Sequence, residues 1–140
     1  MSETPTPART RGIHHAGLTV PDLARTQRFF EETLGFRSVG GDASYPSVFL
    51  SDGRVMVTLW QAADPERARP FDRRQNVGLH HLALQVEDAE ALGELHAELV
   101  RRGDVEIEFA PEPLGGGPTR HLMCAIPGGV RIELIAPAAG

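Results

Sequence analysis

A single cysteine, Cys124, rules out any disulfide within the chain, so covalent cross-links take no part in the fold. Its neighbours in Leu122-Met123-Cys124-Ala125-Ile126 are those of a strand interior, and a small core side chain is expected rather than a nucleophile. Also missing is any apolar run near the ~20 residues that a membrane helix requires. Met1 to Arg11 lacks the hydrophobic core of a signal peptide. No membrane partner is expected, and a cytoplasmic location is. There is no basic excess either: 14 Lys plus Arg stand against 19 Asp plus Glu, for a formal net charge of -5. Without a basic face to displace counterions from phosphates, nucleic acid is excluded as a partner. What is there, 140 residues of which 41% are hydrophobic and 24% charged, suits one globular domain.

The strongest positive signal is an internal repeat, which changes how every later residue is read. Gly12 to Leu23 (GIHHAGLTVPDL) matches Gly78 to Ala89 (GLHHLALQVEDA) at an offset of 66, with six of twelve positions identical. Asp52 to Trp60 (DGRVMVTLW) matches Pro127 to Ile135 (PGGVRIELI) at an offset of 75. The nine extra residues fall in the loop that carries Gly115, Gly116, Gly117 and Pro118.

Each half reads as βαβββ. Residues 13 to 20 alternate and are β-rich; Asp22 then caps a helix through about Leu34, with Gly35 placed to end it. In the second half Asp88 caps, Leu92, Leu95 and Leu99 fall on one helical face, and Arg101, Arg102 and Gly103 close the helix. Three strands are expected after each helix, at about 36 to 40, 46 to 51 and 54 to 60, then 104 to 110, 120 to 126 and 130 to 135. Asp52-Gly53 and Gly128-Gly129 turn the last hairpin of each set. The expected organisation is a flexible tail over 1 to 11, a first module over 12 to 61, a connection over 62 to 77, and a second module over 78 to 136. Together these make one α+β domain over 12 to 136, with two curved mixed sheets around a cleft.

Side chains on a strand alternate between faces, so parity separates the members of each His-His pair. Ala16, Leu18 and Val20, and likewise Leu82, Leu84 and Val86, form apolar rows for the helix side. His15 and His81 then face the other way. On the final strand Val130, Ile132 and Leu134 take the helix side, and Arg131, Glu133 and Ile135 the opposite one. Two imidazoles and a carboxylate are ordinary ligands for Zn, Fe(II), Mn, Co or Ni, and they leave positions open for substrate. A lone strand histidine is more often a hydrogen-bonded structural residue. Equivalent histidines on duplicated strands, together with Glu133, favour one divalent-metal site made by His15, His81 and Glu133 over a structural cluster.

HAGLTVPDL from His15, the helix exit from Phe29-Phe30 to Leu34-Gly35-Phe36, HLALQV from His81, and PGGVRIEL from Pro127 resemble the vicinal oxygen chelate superfamily. That superfamily includes glyoxalase I, extradiol dioxygenases, methylmalonyl-CoA epimerase, and fosfomycin- and bleomycin-resistance proteins. The resemblance implies the glyoxalase/bleomycin resistance/dioxygenase-like fold, with the first-strand histidines and last-strand glutamate as metal ligands. Many members add a fourth ligand, Glu or Gln, at the position matched here by Thr58; neighbouring Gln61 has the wrong parity. Three protein ligands are therefore expected.

The reaction implied is a metal-dependent, glyoxalase-like lyase or isomerase acting on a small substrate with adjacent oxygens, with Glu133 carrying the proton. The alternatives are an Fe(II) or Mn extradiol-type dioxygenase, and a non-catalytic protein that sequesters a small molecule. Candidate substrate contacts are Thr58 and Trp60, which share a face, Arg120 as an anion anchor, and His121 and Tyr45. Proteins of this kind pair their modules within one chain or between subunits, and a homodimer is expected.

Overall fold

A computed structural model describes residues 3 to 139. The expected tail includes Met1 and Ser2, which lie outside the described residues; 3 to 11 are exposed and carry neither helix nor strand. The first module runs β1 (His15–Val20), α1 (Leu23–Glu32), β2 (Arg37–Asp42), β3 (Ser47–Ser51) and β4 (Met56–Gln61). The second runs β5 (Leu82–Gln85), α2 (Ala89–Arg102), β6 (Glu106–Pro113), β7 (Arg120–Ala125) and β8 (Arg131–Ala136). Each module makes a four-stranded mixed sheet, in the orders β1-β4-β3-β2 and β5-β8-β7-β6. The first strand of each pairs in parallel with the last, His15 opposite Met56 in one sheet and Ala83 opposite Glu133 in the other.

The helices start where short polar side chains satisfy backbone N–H groups that have no helical partner. Asp22 accepts from the Arg25 amide at 3.0 Å and Asp88 from the Ala91 amide at 2.8 Å. α2 ends on Gly103 at φ 76°, a left-handed position that glycine adopts without strain. We expect Asp88→Ala to cost about 0.5–2 kcal/mol, read as a lower urea midpoint with unchanged slope. α1 stops at Glu32, earlier than its periodicity suggests, because Phe36 turns inward and its amide bonds to the Phe30 carbonyl. β6 runs three residues past its expected end by way of two register shifts. The connection between modules holds one short 3₁₀ turn, Pro65–Arg67.

The parity expected from the strands is what the fold shows. Leu18, Val20, Leu50, Val57 and Leu59 of the first sheet, with Leu122, Cys124, Ile132 and Leu134 of the second, are buried on the helix sides in one continuous core. Burial pushes the Cys124 thiol up to about 12, so it stays protonated and serves as packing.

The two modules meet through their helices. From the end of α2, Arg102 reaches Glu32 and Thr33 at the end of α1, both at 3.2 Å, and lies 5.3 Å from the Phe29 ring. Asp104 accepts from Arg102 at 3.0 Å and pairs with Arg25 at 3.7 Å. The other face of each sheet stays open, with Gly17 and Thr19 exposed on β1 and Ala83 and Gln85 exposed on β5.

Candidate functional site

On the open face of the second sheet, β8 carries Arg131, Glu133 and Ile135, while β7 brings Met123 opposite Glu133 and His121 opposite Ile135. Glu133 is buried, and both carboxylate oxygens meet imidazoles. Oε1 lies 3.2 Å from Nε2 of His81, and Oε2 lies 2.5 Å from Nδ1 of His121. His121 is nearly enclosed, stacks at a tilt on Phe109 at 4.8 Å, and turns Nε2 toward Glu112 at 3.9 Å.

His81 is also gripped from behind. Its Nδ1 lies 2.8 Å from Nδ1 of His80, and Arg131 donates from Nη1 to the His80 carbonyl at 3.0 Å and to His80 Nδ1 at 3.2 Å. Arg131 is buried and forks onto Glu108 at 2.7 and 2.9 Å, where Arg73 of the connection adds a third contact at 3.2 Å. The Arg131 hydrogen bonds hold the Glu108 carboxyl below the usual carboxylate range, and Glu108 in turn raises Arg131. Desolvation of the ring, then the Arg131 charge, lower His80.

This network decides what His81 offers to Glu133. With Nδ1 occupied by the His80 contact, Nε2 faces a carboxylate oxygen across 3.2 Å. A lone pair and a carboxylate at that distance repel unless a proton or metal ion lies between them. A proton closes the gap in the chain as it stands, and an imidazole nitrogen beside a carboxylate oxygen is also the kind of donor pair that a divalent cation takes.

His15 does not join them. Within one chain, no three His, Cys, Asp or Glu side chains among the described residues converge enough to hold an ion. His15 is exposed at the start of β1, with Nδ1 2.9 Å from Nδ1 of His14, a repeat of the His80–His81 contact. The expected single cleft holding His15, His81 and Glu133 is therefore not assembled among the described residues of one chain, where His15 keeps to its contact with His14.

The remaining candidates divide between the two sheets. Trp60 donates from its indole N–H to Oγ1 of buried Thr58 at 2.9 Å, so Thr58 is engaged by its neighbour. Tyr45 meets the Trp60 ring edge-on at 4.9 Å, and Phe49, which was not singled out from the sequence, lies at 5.9 Å. Together they make an aromatic wall on the first sheet. Gly17 sits beside it with no room to spare: a Cβ there would lie 3.1 Å from Thr58 Oγ1 and 3.4 Å from the Trp60 indole nitrogen. Arg120 donates to the Pro111 carbonyl at 3.0 Å and so spends part of its guanidinium on the β6–β7 edge. Gln61 is spent on the start of α1, accepting from the Leu23 amide and donating to the Pro21 carbonyl.

Sequence reasoning passed over Arg131 and Glu108. Their signal was present: Arg131 stands on a strand whose other members, Glu133 aside, are Ile, Leu and Ala, and a buried arginine requires a partner.

Comparison with known proteins gives four findings. The family model described as "Glyoxalase/Bleomycin resistance protein/Dioxygenase superfamily" matches residues 12–134. The chain is similar to a 2-epi-5-epi-valiolone epimerase from Actinomyces sp, with 31% identity over a 150-residue alignment that takes in 91% of this chain and 80% of that protein. Among solved structures, a glyoxylase/bleomycin resistance protein/dioxygenase domain from Frankia sp. EAN1pec superposes with a TM-score of 0.79 at 22% identity, covering 91% of this chain and 98% of that one. The fosfomycin resistance protein FosX from Listeria monocytogenes superposes with a TM-score of 0.72 at 19% identity, covering 92% and 95%. At these identities the two structures speak for the fold.

Proposed function

Because the chain belongs to the glyoxalase/bleomycin resistance protein/dioxygenase superfamily, we propose that it is a divalent-metal-dependent isomerase of small substrates with adjacent oxygens. Its complete site, on this reading, is shared between two copies of the chain. The observation that carries the proposal is the approach of His81 Nε2 to Glu133 Oε1, with His81 fixed from behind and Glu133 held by His121. Isomerase is favoured over the other reactions because the Actinomyces protein is by name an epimerase of a ketone. An epimerase exchanges a proton at a stereocentre, and a carbon next to a carbonyl loses its proton most readily.

His15, His81 and Glu133 would hold the ion, which when bound would stabilise negative charge on the two substrate oxygens. The chain contains no lysine, so it cannot reach the same end through a lysine Schiff base. Glu133 takes the proton from the substrate carbon as the electron pair moves onto the carbonyl oxygen. His121, on the other carboxylate oxygen, fixes the orientation of Glu133 while it does so. A proton from solvent water, delivered to the opposite face of the planar intermediate, inverts the centre, and Glu133 releases the proton it took back to solvent. The Tyr45–Phe49–Trp60 wall on the first sheet supplies apolar surface to exclude water.

Two copies are invoked because His15 does not meet His81 and Glu133 among the described residues of one chain. A two-fold pairing that lays the first module of one chain against the second module of its partner covers both faces and makes two identical sites. Ile13, Val77 and Leu79, which lead into the two histidine pairs, are large apolar side chains exposed in the single chain, as an interface requires.

Metal content tests the reading. Protein purified without added metal should carry about one divalent ion per chain, and His81→Ala should carry almost none. Equal content in the two would remove His81 from the site.

A further inference from the structure

We propose that Arg131, acting through His80, sets the tautomer of His81, so that Nδ1 carries the ring hydrogen and Nε2 is the only nitrogen left to bind an ion. The inference rests on the reading of His81 as a metal ligand and names what prepares it.

Donor and acceptor roles decide where the hydrogen sits. Arginine nitrogens only donate. With Arg131 Nη1 at 3.2 Å, His80 Nδ1 has to be the acceptor. The 2.8 Å contact between the two Nδ1 atoms then needs its hydrogen from His81. At this contact any other assignment sets two hydrogens or two lone pairs against each other; at the far nitrogen, the 3.2 Å approach of Glu133 Oε1 leaves a place for a second proton until a cation takes it. Arg131 cannot swing away to relieve it. Its fork is closed on Glu108, its Nη1 is also tied to the His80 carbonyl, and Arg73 braces Glu108 from the connection between modules.

The first module shows what happens without the arginine. His14 and His15 repeat the contact at 2.9 Å, with ring centroids at 5.2 Å against 5.1 Å for His80 and His81. Yet the residue paired with His15 across the strands is Met56, which stands where the second module has Arg131. No donor-only group there decides which ring gives the hydrogen. The duplicated histidines are thus unequal: His81 is set in advance, and His15 settles when the second copy and the ion arrive. Hydrogen bonds behind a metal-bound imidazole fix its tautomer and raise its basicity, which is why their loss weakens metal binding.

The test is made on the full chain with ¹⁵N-labelled histidine and no metal, using long-range ¹H–¹⁵N spectra assigned with His81→Gln. The wild type should show the hydrogen on Nδ1 of His81. Arg131→Met strands the buried Glu108 and endangers the fold, so His80→Phe, which keeps the Arg131–Glu108 pair, is measured beside it. In each folded variant the neutral His81 ring should become a mixture of tautomers, and zinc affinity in a competition titration should fall roughly 10- to 100-fold. His14→Phe should leave the His81 tautomer as it is. A wild-type ring with its hydrogen on Nε2 and a bare Nδ1, or an unmixed tautomer in His80→Phe, overturns the proposal. A locked Nδ1–H form in a chain that takes up no zinc would sink the metal reading and leave this one standing.

Discussion

Glu133→Gln is expected to lower turnover of an epimerisable hydroxyketone by about 10²- to 10⁴-fold, the usual contribution of a positioned general base. The exchange is nearly isosteric. Glutamine keeps a carbonyl oxygen that can accept from His121, so neither the shape of β8 nor the packing of Met123 beside it has reason to change. On the proposed mechanism, what goes is the group that takes the proton, and with it a charged metal ligand. These two losses separate under excess zinc. If weakened metal binding were the whole effect, saturating zinc would restore turnover, whereas the role given to Glu133 predicts a rate that stays low with the site filled. Stopped-flow loss of deuterium from the substrate carbon reads the step itself.

Much of this architecture could be read from the chain alone, because two periodicities do not interfere with each other. The repeat at 66 and 75 residues fixes the order of elements twice over, and strand parity divides Leu18 from His15 and Ile132 from Glu133 without reference to tertiary contacts. His81 and Glu133 were found this way, and they do converge. Parity tells which face a residue occupies but not what lies opposite that face. For this reason His15 was placed in a common cleft that a single chain does not close. The modules are joined through Arg102, Glu32 and Phe29, and nothing in the local pattern of any one of these residues announces that contact. The Arg131–Glu108 pair was missed for a related reason. Glu108 reaches Arg131 across the register shift between Ile107 and Phe109, and a bulge upsets the two-residue count on which the reading depends. Gln61 and Thr58 show the converse. Both were judged poor ligands by parity or by chemistry, and each is engaged elsewhere, Gln61 at the start of α1 and Thr58 with the Trp60 indole.

The division of labour between the modules follows from the same residues. The second sheet brings a fixed imidazole, a buried carboxylate and its histidine clamp, and the first brings an exposed imidazole and an aromatic wall. Duplication has left the two halves alike in backbone and unlike in chemistry, and Met56 against Arg131, like Thr58 against Glu133, marks where they differ. On the proposed reading, neither half-site is complete alone.

That dependence makes subunit complementation the most direct test of a site shared between chains. His15→Ala and His81→Ala should each be inactive, since every site in either homodimer lacks a ligand. Unfolded together and refolded as an equal mixture, half of the dimers are mixed. In each mixed dimer one site inherits both defects and the other inherits none. Turnover should therefore return to about a quarter of the wild-type value, from a baseline near zero. A mixture as inactive as its two parents would contradict the account, because it would mean that His15 and His81 must come from the same chain.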